Sequence, residues 1–110
     1  MDAMAGVRLI VQFTADNVDI ADKAVQEAVE RCKRVQQEPG CIQYEVFRSA
    51  LRPEHYVLLE HWESKAALAA HAQLMLANPP PRNPQIRRVR EDYDYAETPA
   101  AAPAPSPAGS

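Results

Sequence analysis

Three residues with chemically useful side chains lie close together in this sequence: a glutamate, a tryptophan and a histidine. Glu60 and Trp62 stand two positions apart in the run HYVLLEHW, and His71 follows in the run KAALAAHAQLMLA. Residues two positions apart on a strand share one face, so Glu60 and Trp62 are expected side by side. A histidine titrates near neutrality, so His71 is the candidate general base.

A helix through this second run places His71 on an apolar stripe. Leu68 precedes it by three residues and Met75 follows it by four, the spacing of neighbours on one helical face. If this stripe faces the strand that carries Trp62, a pocket lies between sheet and helix, and its aromatic walls suit a flat, partly conjugated substrate. We predict His71 and Trp62 as catalytic residues, with Trp62 as a stacking wall. The predicted substrate-binding residues are Tyr44, Tyr56, Glu60, Leu68 and Met75.

Each of these residues also has an ordinary structural interpretation, which stays open at this point. Trp62 can simply be a large core residue, and His71 can be a hydrogen-bonded structural histidine. Glu60 on a buried face needs a partner, which Arg8, Arg48 or a main-chain donor can supply.

Other common kinds of active site are absent from the sequence. Cys32 and Cys41 stand nine positions apart, which fits no zinc spacing, and no cluster of Cys or His completes a site, so no metal is predicted. The chain has three glycines and no glycine-rich phosphate loop. Ser49 and Ser64 lack the G-x-S-x-G context of a hydrolase nucleophile. No bound cofactor is expected.

The hydrophobic pattern predicts six elements that position these residues. An apolar stripe at helical spacing runs from Ala21 to Val35, and Ser64 is a suitable N-cap for a second helix over residues 65–77. The predicted strands are Val7 to Phe13, Ile42 to Arg48, His55 to Trp62 and Ile86 to Tyr95. The order β-α-β-β-α-β predicts an α+β, ferredoxin-like fold, in which a four-stranded antiparallel sheet carries both helices on one face.

Length and charge limit the remaining possibilities. The 110 residues predict one domain over 1–95, followed by a disordered Ala/Pro-rich tail over 96–110. A net charge of -3 does not favour nucleic acid or an anionic membrane as a partner. No apolar run reaches the roughly 18 residues of a membrane span. The start of the chain lacks the pattern of a signal peptide, so we expect a cytoplasmic protein.

The predicted sheet has a second apolar face that the helices cannot cover. Ile10, Phe47, Val57 and Leu59 fall on it by strand alternation, together with His55 and His61. A contiguous apolar patch usually marks an interface, and two-fold packing of two sheets is the simplest way to cover it. We therefore predict a homodimer, with a half-polar open face on a monomer as the alternative.

The segment from Glu38 to His71, EPGCIQYEVFRSALRPEHYVLLEHWESKAALAAH, resembles the antibiotic-biosynthesis monooxygenase family. It has the Glu-Pro-Gly-Cys turn, the aromatic-rich strand, the long hairpin, the Glu-x-Trp and the Ala-x-x-x-His helix. The resemblance extends more weakly over residues 7–95 and implies a dimeric α+β barrel. Many relatives carry a second histidine in a Pro-His-Phe-like segment, but the corresponding region here is LMLANPPPRNP.

The resemblance implies a monooxygenase that oxidises a small aromatic or quinol-like substrate with O2. Other hypotheses on the same scaffold are a small-molecule isomerase using His71 or Glu60, and a non-catalytic ligand-binding dimer. The haem-degrading relatives resemble one another in an Asn, Trp and His arrangement. This chain has Trp62 and His71 but no Asn between Val7 and Phe13, which weakens a haem-degrading interpretation.

Overall fold

The computed structural model describes residues 6–94. Six elements follow in the predicted order: β1 (Val7–Ala15), α1 (Val18–Val35), β2 (Cys41–Arg48), β3 (His55–Trp62), α2 (Lys65–Ala77) and β4 (Ile86–Asp94). The strands form one antiparallel sheet in the order β2-β3-β1-β4. This is the predicted ferredoxin-like α+β fold. The predicted tail and Tyr95 lie outside the described residues.

Side-chain caps fix where both helices begin. Asn17 precedes α1, and its side-chain oxygen accepts a hydrogen bond from the Ile20 backbone N–H over 2.9 Å. Ser64 does the same for α2 through the Ala67 N–H at 3.0 Å, as expected from its position. Each cap satisfies one of the backbone donors that have no partner in the first helical turn.

The core lies between the sheet and α1. Alternation on β1 turns Val7, Leu9 and Val11 toward the helices, and Cys32 and Val35 of α1 pack on the same cluster. Ala67 and Leu68 of α2 contact this cluster as well, but Leu74 and Leu76 of α2 remain exposed. The second helix therefore covers less of the sheet than the first, and a cleft remains beside it.

Two details differ from the expected pattern. Strand alternation predicts Ile42 on the buried face that carries Tyr44, but it is 55% exposed. A β-bulge between Cys41 and Gln43 shifts the register with β3, so Cys41 takes the place opposite Trp62 and packs on the core. Helical spacing predicts Val29 on the apolar stripe of α1, but it is 37% exposed.

The described residues contain no helix that is both long enough and apolar enough to pass through a bilayer.

Candidate active site

Strand β3 turns Tyr56, Leu58, Glu60 and Trp62 toward the helices, as the sequence predicts, and all four are buried. Tyr44 on β2 lies directly opposite Glu60 in the ladder between these two strands. Opposed residues on neighbouring strands bring their side chains into contact range. The sheet therefore places a phenol, a carboxyl group and an indole next to one another.

Helix α2 adds His71 to this group. Its ring stacks on the Trp62 indole with centroids 4.8 Å apart and planes 30° apart. The Tyr44 ring meets the imidazole edge-on at 5.5 Å and lies 6.4 Å from the Trp62 ring. Only 5% of His71 is exposed. The structure thus brings together the predicted pair His71 and Trp62, with Tyr44 as their neighbour.

Glu38 completes the environment of His71, and its contact was not anticipated from the sequence. The Glu38 Oε1 lies 2.8 Å from the imidazole Nδ1. An ionised carboxylate only accepts hydrogen bonds, so Nδ1 is the donor when Glu38 is charged. The Glu-Pro-Gly-Cys turn was a usable signal in the sequence, but spacing alone does not connect it with a helix 33 residues further on.

Gly40 explains how that turn reaches the helix. Its φ of +81° lies in the left-handed region that favours glycine. A Cβ at this position would stand 2.5 Å from the Cβ of Ala67, at the start of α2. The Gly40 carbonyl also accepts a hydrogen bond from the Glu63 N–H over 2.9 Å. Close approach at Gly40 therefore holds the turn against the helix that carries His71.

Glu60 is a buried acid with a defined partner. The Trp62 Nε1–H donates to its Oε1 over 2.9 Å, and the residue is 6% exposed. Burial raises the pKa of Glu60, because desolvation disfavours the charged form; the hydrogen bond from Trp62 and the positive charges of His71, Arg90 and Arg88 oppose this. The partner is thus the neighbouring indole rather than either arginine suggested by the sequence, Arg8 or Arg48.

The Tyr44 phenol is held in its protonated form. Burial raises its pKa, and the negative charge of Glu60 raises it further. A protonated phenol can donate a hydrogen bond to a ligand oxygen while a carboxyl group beside it accepts or donates one. Tyr44 and Glu60 together can therefore orient an oxygenated ring.

A wide cleft of about 1760 Å³ opens beside this cluster, between sheet and helices. It is larger than the roughly 300–1,000 Å³ typical of small-molecule sites. Six of the seven predicted residues line it, but Trp62, expected as a stacking wall, is fully buried and packs behind His71 instead. The six are Tyr44, Tyr56, Glu60, Leu68, His71 and Met75.

The cleft does not bring all six to one place. Tyr56 lies six residues from Trp62 on β3, about 20 Å away at 3.3 Å per residue. It stacks instead on Phe13, with ring centroids 4.9 Å apart. Met75 is half-buried one turn after His71. The chemistry is therefore concentrated at the His71 end, and Tyr56 bounds the other end.

Strand β4 contributes charges to the cleft that the sequence pattern alone does not place there. Its register with β1 puts Arg88 opposite Phe13, Arg90 opposite Val11 and Asp92 opposite Leu9, all on the helix side of the sheet. Arg90 is tied to Asp92 by two hydrogen bonds of 2.7 and 3.0 Å. The mixed charges of this strand thus form one border of the cleft.

The arrangement suits proton transfer more than metal chemistry. Among residues 6–94, no group of three or more His, Cys, Asp or Glu side chains is placed to hold a metal ion. His71 is supported by a carboxylate on one ring nitrogen and lines the cleft, while Glu60 is a second titratable group beside it. Such a pair can remove a proton from a bound ligand and return one.

Comparison with known proteins gives one family. The family model described as antibiotic biosynthesis monooxygenase matches residues 8–78, more than half of the chain. None of the curated proteins matches the sequence significantly.

Solved structures with a similar fold include a conserved protein of unknown function from Bacteroides thetaiotaomicron. It is 23% identical, with a TM-score of 0.67 over 83% of this chain and 98% of that one. A candidate antibiotic biosynthesis monooxygenase from Deinococcus radiodurans is 20% identical, with a TM-score of 0.66 over 84% and 94%. A haem degrader from Mycobacterium tuberculosis, with two haems in its active site, is 19% identical, with a TM-score of 0.62 over 82% and 95%. At sequence identities below 25%, the similarity to these structures shows the fold alone.

Proposed function

The chain belongs to the antibiotic biosynthesis monooxygenase family, and from this we propose that it is a monooxygenase that oxidises a small aromatic or quinol-like substrate with O2 and without a bound cofactor. The observation that carries the proposal is the environment of His71. Its imidazole lines a cleft, is supported by Glu38 and lies beside the protonated Tyr44 and the buried Glu60.

The cleft matches a flat ring with oxygen substituents. Leu68 and Met75 of α2 supply apolar contacts on one side, and Leu9 of β1 supplies them on the other. Tyr44 and Glu60 supply the hydrogen bonds that orient the oxygens. We assign Trp62 a supporting role, because its indole stacks on His71 and donates to Glu60 without reaching the cleft.

His71 is the proposed base. It removes a proton from an acidic ring CH2, or from the ring hydroxyl of a quinol-like substrate, and the resulting anion is delocalised over the aromatic system and has carbanion character at a ring carbon. Attack of this carbanion on O2 forms a carbon–oxygen bond and a peroxide, which takes the proton back from His71. For a ring CH2, loss of the second proton with cleavage of the O–O bond leaves a carbonyl and releases water, so one oxygen atom is incorporated and the other is reduced.

Oxygen consumption tests this proposal directly. Purified protein is mixed with a panel of dihydroxy-aromatic and anthrone-like compounds, without flavin or metal, and uptake is compared with that of His71→Ala and Trp62→Phe. General-base catalysis contributes about 10²–10⁴-fold, so His71→Ala should lose activity on that scale. Gln73→Ala, at an exposed position of the same helix, is the control and should retain activity.

Absence of uptake with every member of the panel, or uptake that His71→Ala leaves unchanged, would contradict the proposal. Loss of ring protons to solvent deuterium without oxygen uptake would indicate an isomerase instead.

Haem is a second candidate ligand, favoured by the haem-degrading structural neighbour and by the size of the cleft. Against it, β1 carries no Asn in the Val7–Phe13 stretch where a haem degrader is expected to have one. Titration with haemin separates the two functions. A saturable shift of the haemin Soret band that His71→Ala abolishes would support haem binding, and the absence of such a shift would leave the quinol-like substrate.

We also propose that the protein is a homodimer that packs through the outer face of its sheet. Phe47, Val89 and Tyr93 on this face are 43%, 59% and 48% exposed, and Val57 and Leu59 between them are half-buried. An apolar sheet face of this extent is normally covered in solution. A second copy covers it with the same surface, by two-fold symmetry.

A further inference from the structure

We propose that Glu38 is a positioning residue that holds His71 in the tautomer protonated on Nδ1, so that Nε2 is the nitrogen that exchanges protons with the substrate. The proposal depends on the proposed function only in taking His71 as the reacting base. The tautomer itself can be measured without any catalysis.

The contact between the two side chains is short and sheltered. The Glu38 Oε1 and the His71 Nδ1 are 2.8 Å apart, and the side chains are 20% and 6% exposed, respectively. Free histidine in water carries its proton mainly on Nε2. A carboxylate that accepts from Nδ1–H reverses that preference, because the hydrogen bond at one ring nitrogen decides which nitrogen is protonated.

The Glu38 backbone is held independently of its side chain. Its N–H donates to the Val35 carbonyl over 2.9 Å at the end of α1, and its carbonyl accepts from the Cys41 N–H over 3.1 Å at the start of β2. Gly40 then joins the turn to Glu63 before α2. Contacts with the end of α1, the start of β2 and the residue before the N-cap of α2 therefore fix the position of the Glu38 carboxylate. A carboxylate fixed in this way restricts the orientation of the His71 ring and determines which ring nitrogen is protonated.

The second ring nitrogen is left for the ligand. Within residues 6–94, Nδ1 of His71 has Glu38 as its partner, and no protein hydrogen bond involves Nε2. The ring is stacked on Trp62 on one side and lines the cleft. A neutral imidazole with its proton on Nδ1 has its lone pair on Nε2, which is the requirement for a base.

A purely structural pairing would have a different signature. If Glu38 served only to neutralise a permanently charged imidazolium, both ring nitrogens of His71 would carry protons at mildly alkaline pH. If the contact were incidental, removal of the carboxylate would leave the tautomer unchanged. Long-range proton–nitrogen NMR of the histidine rings distinguishes these cases.

The experiment compares the wild-type chain with Glu38→Ala and Glu38→Gln at mildly alkaline pH. The chain has three histidines, and the spectrum of His71→Ala assigns the His71 signals. We expect the Nδ1–H tautomer in the wild type and its loss in Glu38→Ala. The amide oxygen of Glu38→Gln can still accept from Nδ1–H, so this variant should retain the tautomer. Glu63→Gln, an exposed glutamate beside Gly40, is the control and should match the wild type.

Where oxygen uptake is measurable, Glu38→Ala should reduce kcat by about 10–100-fold with little change in KM, which is less than loss of the base itself. Glu38→Gln should show an intermediate kcat, because it keeps the tautomer but lacks the negative charge that stabilises the imidazolium.

Two results would overturn the proposal: a wild-type His71 that is doubly protonated or protonated on Nε2, or a Glu38→Ala variant with an unchanged tautomer. These results are independent of the oxygenase reaction. If the tautomer depends on Glu38 but the protein takes up no oxygen, the positioning role of Glu38 is supported and the proposed function is rejected.

Discussion

Trp62 and Glu60, two residues apart on β3, are joined by a 2.9 Å hydrogen bond from the indole Nε1 to the carboxyl Oε1. Both side chains are almost completely buried, at 0% and 6% exposed. The indole N–H thus donates its hydrogen bond to a carboxyl group of the protein rather than to a substrate. This hydrogen bond connects Trp62, which stacks on His71, with Glu60, a titratable group that lines the cleft.

Replacement of Glu60 by Gln should stabilise the protein at neutral pH. Burial raises the pKa of Glu60 above the ordinary value of 4.5, so the folded state favours the protonated acid. The stability that this gives is complete below pH 4.5 and is lost as the pH rises through the raised pKa. For each unit by which folding raises this pKa, the free energy of unfolding of the wild type at higher pH is lower by about 1.4 kcal/mol.

Thermal unfolding measured across pH tests this prediction. The difference in Tm between Glu60→Gln and the wild type should be positive at neutral pH and should shrink toward zero below pH 4.5. The amide oxygen still accepts from the Trp62 N–H, so packing is retained. Glu30→Gln, at an exposed position of α1, is the control and should show no such trend. A Glu60→Gln variant that is less stable at every pH would refute this account of the buried acid.

Gly40→Ala should destabilise the fold by roughly 1–3 kcal/mol, the usual cost of a strained backbone conformation. The φ of +81° disfavours any Cβ, and this one would also overlap the Cβ of Ala67. Because the turn carries Glu38, the same substitution should disturb the His71 tautomer. Denaturant unfolding and the histidine NMR spectrum measure the two effects.

A double-mutant cycle with Ala67→Gly separates the two causes. Ala67→Gly alone should cost about 1 kcal/mol as a helix substitution. If steric overlap contributes, the double variant should be more stable than the sum of the single changes predicts. Full additivity would mean that backbone strain alone accounts for the cost of Gly40→Ala.

Features set by interactions between residues close in the sequence could be predicted, whereas features set by contacts between distant residues could not. The face of β3 that carries Glu60 and Trp62 could be predicted, because alternation is a local property of a strand. The position of His71 on α2 could be predicted from its spacing with Leu68 and Met75. The bulge that exposes Ile42 was not visible, because a single extra residue in a ladder depends on the partner strand.

The contacts that could not be predicted join residues distant in the chain. Glu38 reaches His71 through a turn whose approach to α2 depends on Gly40, and no periodic pattern reports such an approach. The register between β4 and β1 places Arg88 and Arg90 on the face of the sheet that lines the cleft. The charge pattern of β4 alone indicates only a solvated strand. Trp62 was predicted beside His71, but its burial behind the ring depended on how closely α2 packs.

Cys41 should be a slow nucleophile in the folded protein. Burial, together with the charges of Glu38 and Glu60, raises the pKa of its thiol to about 11 from an ordinary 9.0. The thiolate is the reactive form, so at neutral pH about 100-fold less of it is present than for an unperturbed thiol. Titration with a disulfide reagent should show a rate that keeps increasing with pH up to about 11.

The two cysteines can be distinguished by substitution. Cys41→Ser should leave only Cys32, whose pKa is also raised by burial, and its reaction should be slower still because Cys32 is the more buried of the two. Glu38→Gln should accelerate Cys41 by removing a nearby negative charge. Rapid modification of the folded wild type at neutral pH would contradict this environment.

Leu59→Arg should convert the proposed dimer into a monomer. Leu59 lies at the centre of the outer sheet face, opposite Ile10 on β1 and Glu45 on β2. Burial of the arginine between two sheets costs several kcal/mol of desolvation, which pairing with Glu45 offsets only in part. Because 1.4 kcal/mol corresponds to a tenfold change, Kd should rise at least about 100-fold. Light scattering should give twice the chain mass of 12.2 kDa for the wild type and 12.2 kDa for Leu59→Arg. Leu51→Arg, in the hairpin loop where the side chain is 91% exposed, is the control and should remain dimeric. A wild type that is already monomeric at high concentration would show instead that this half-polar face is stable in water.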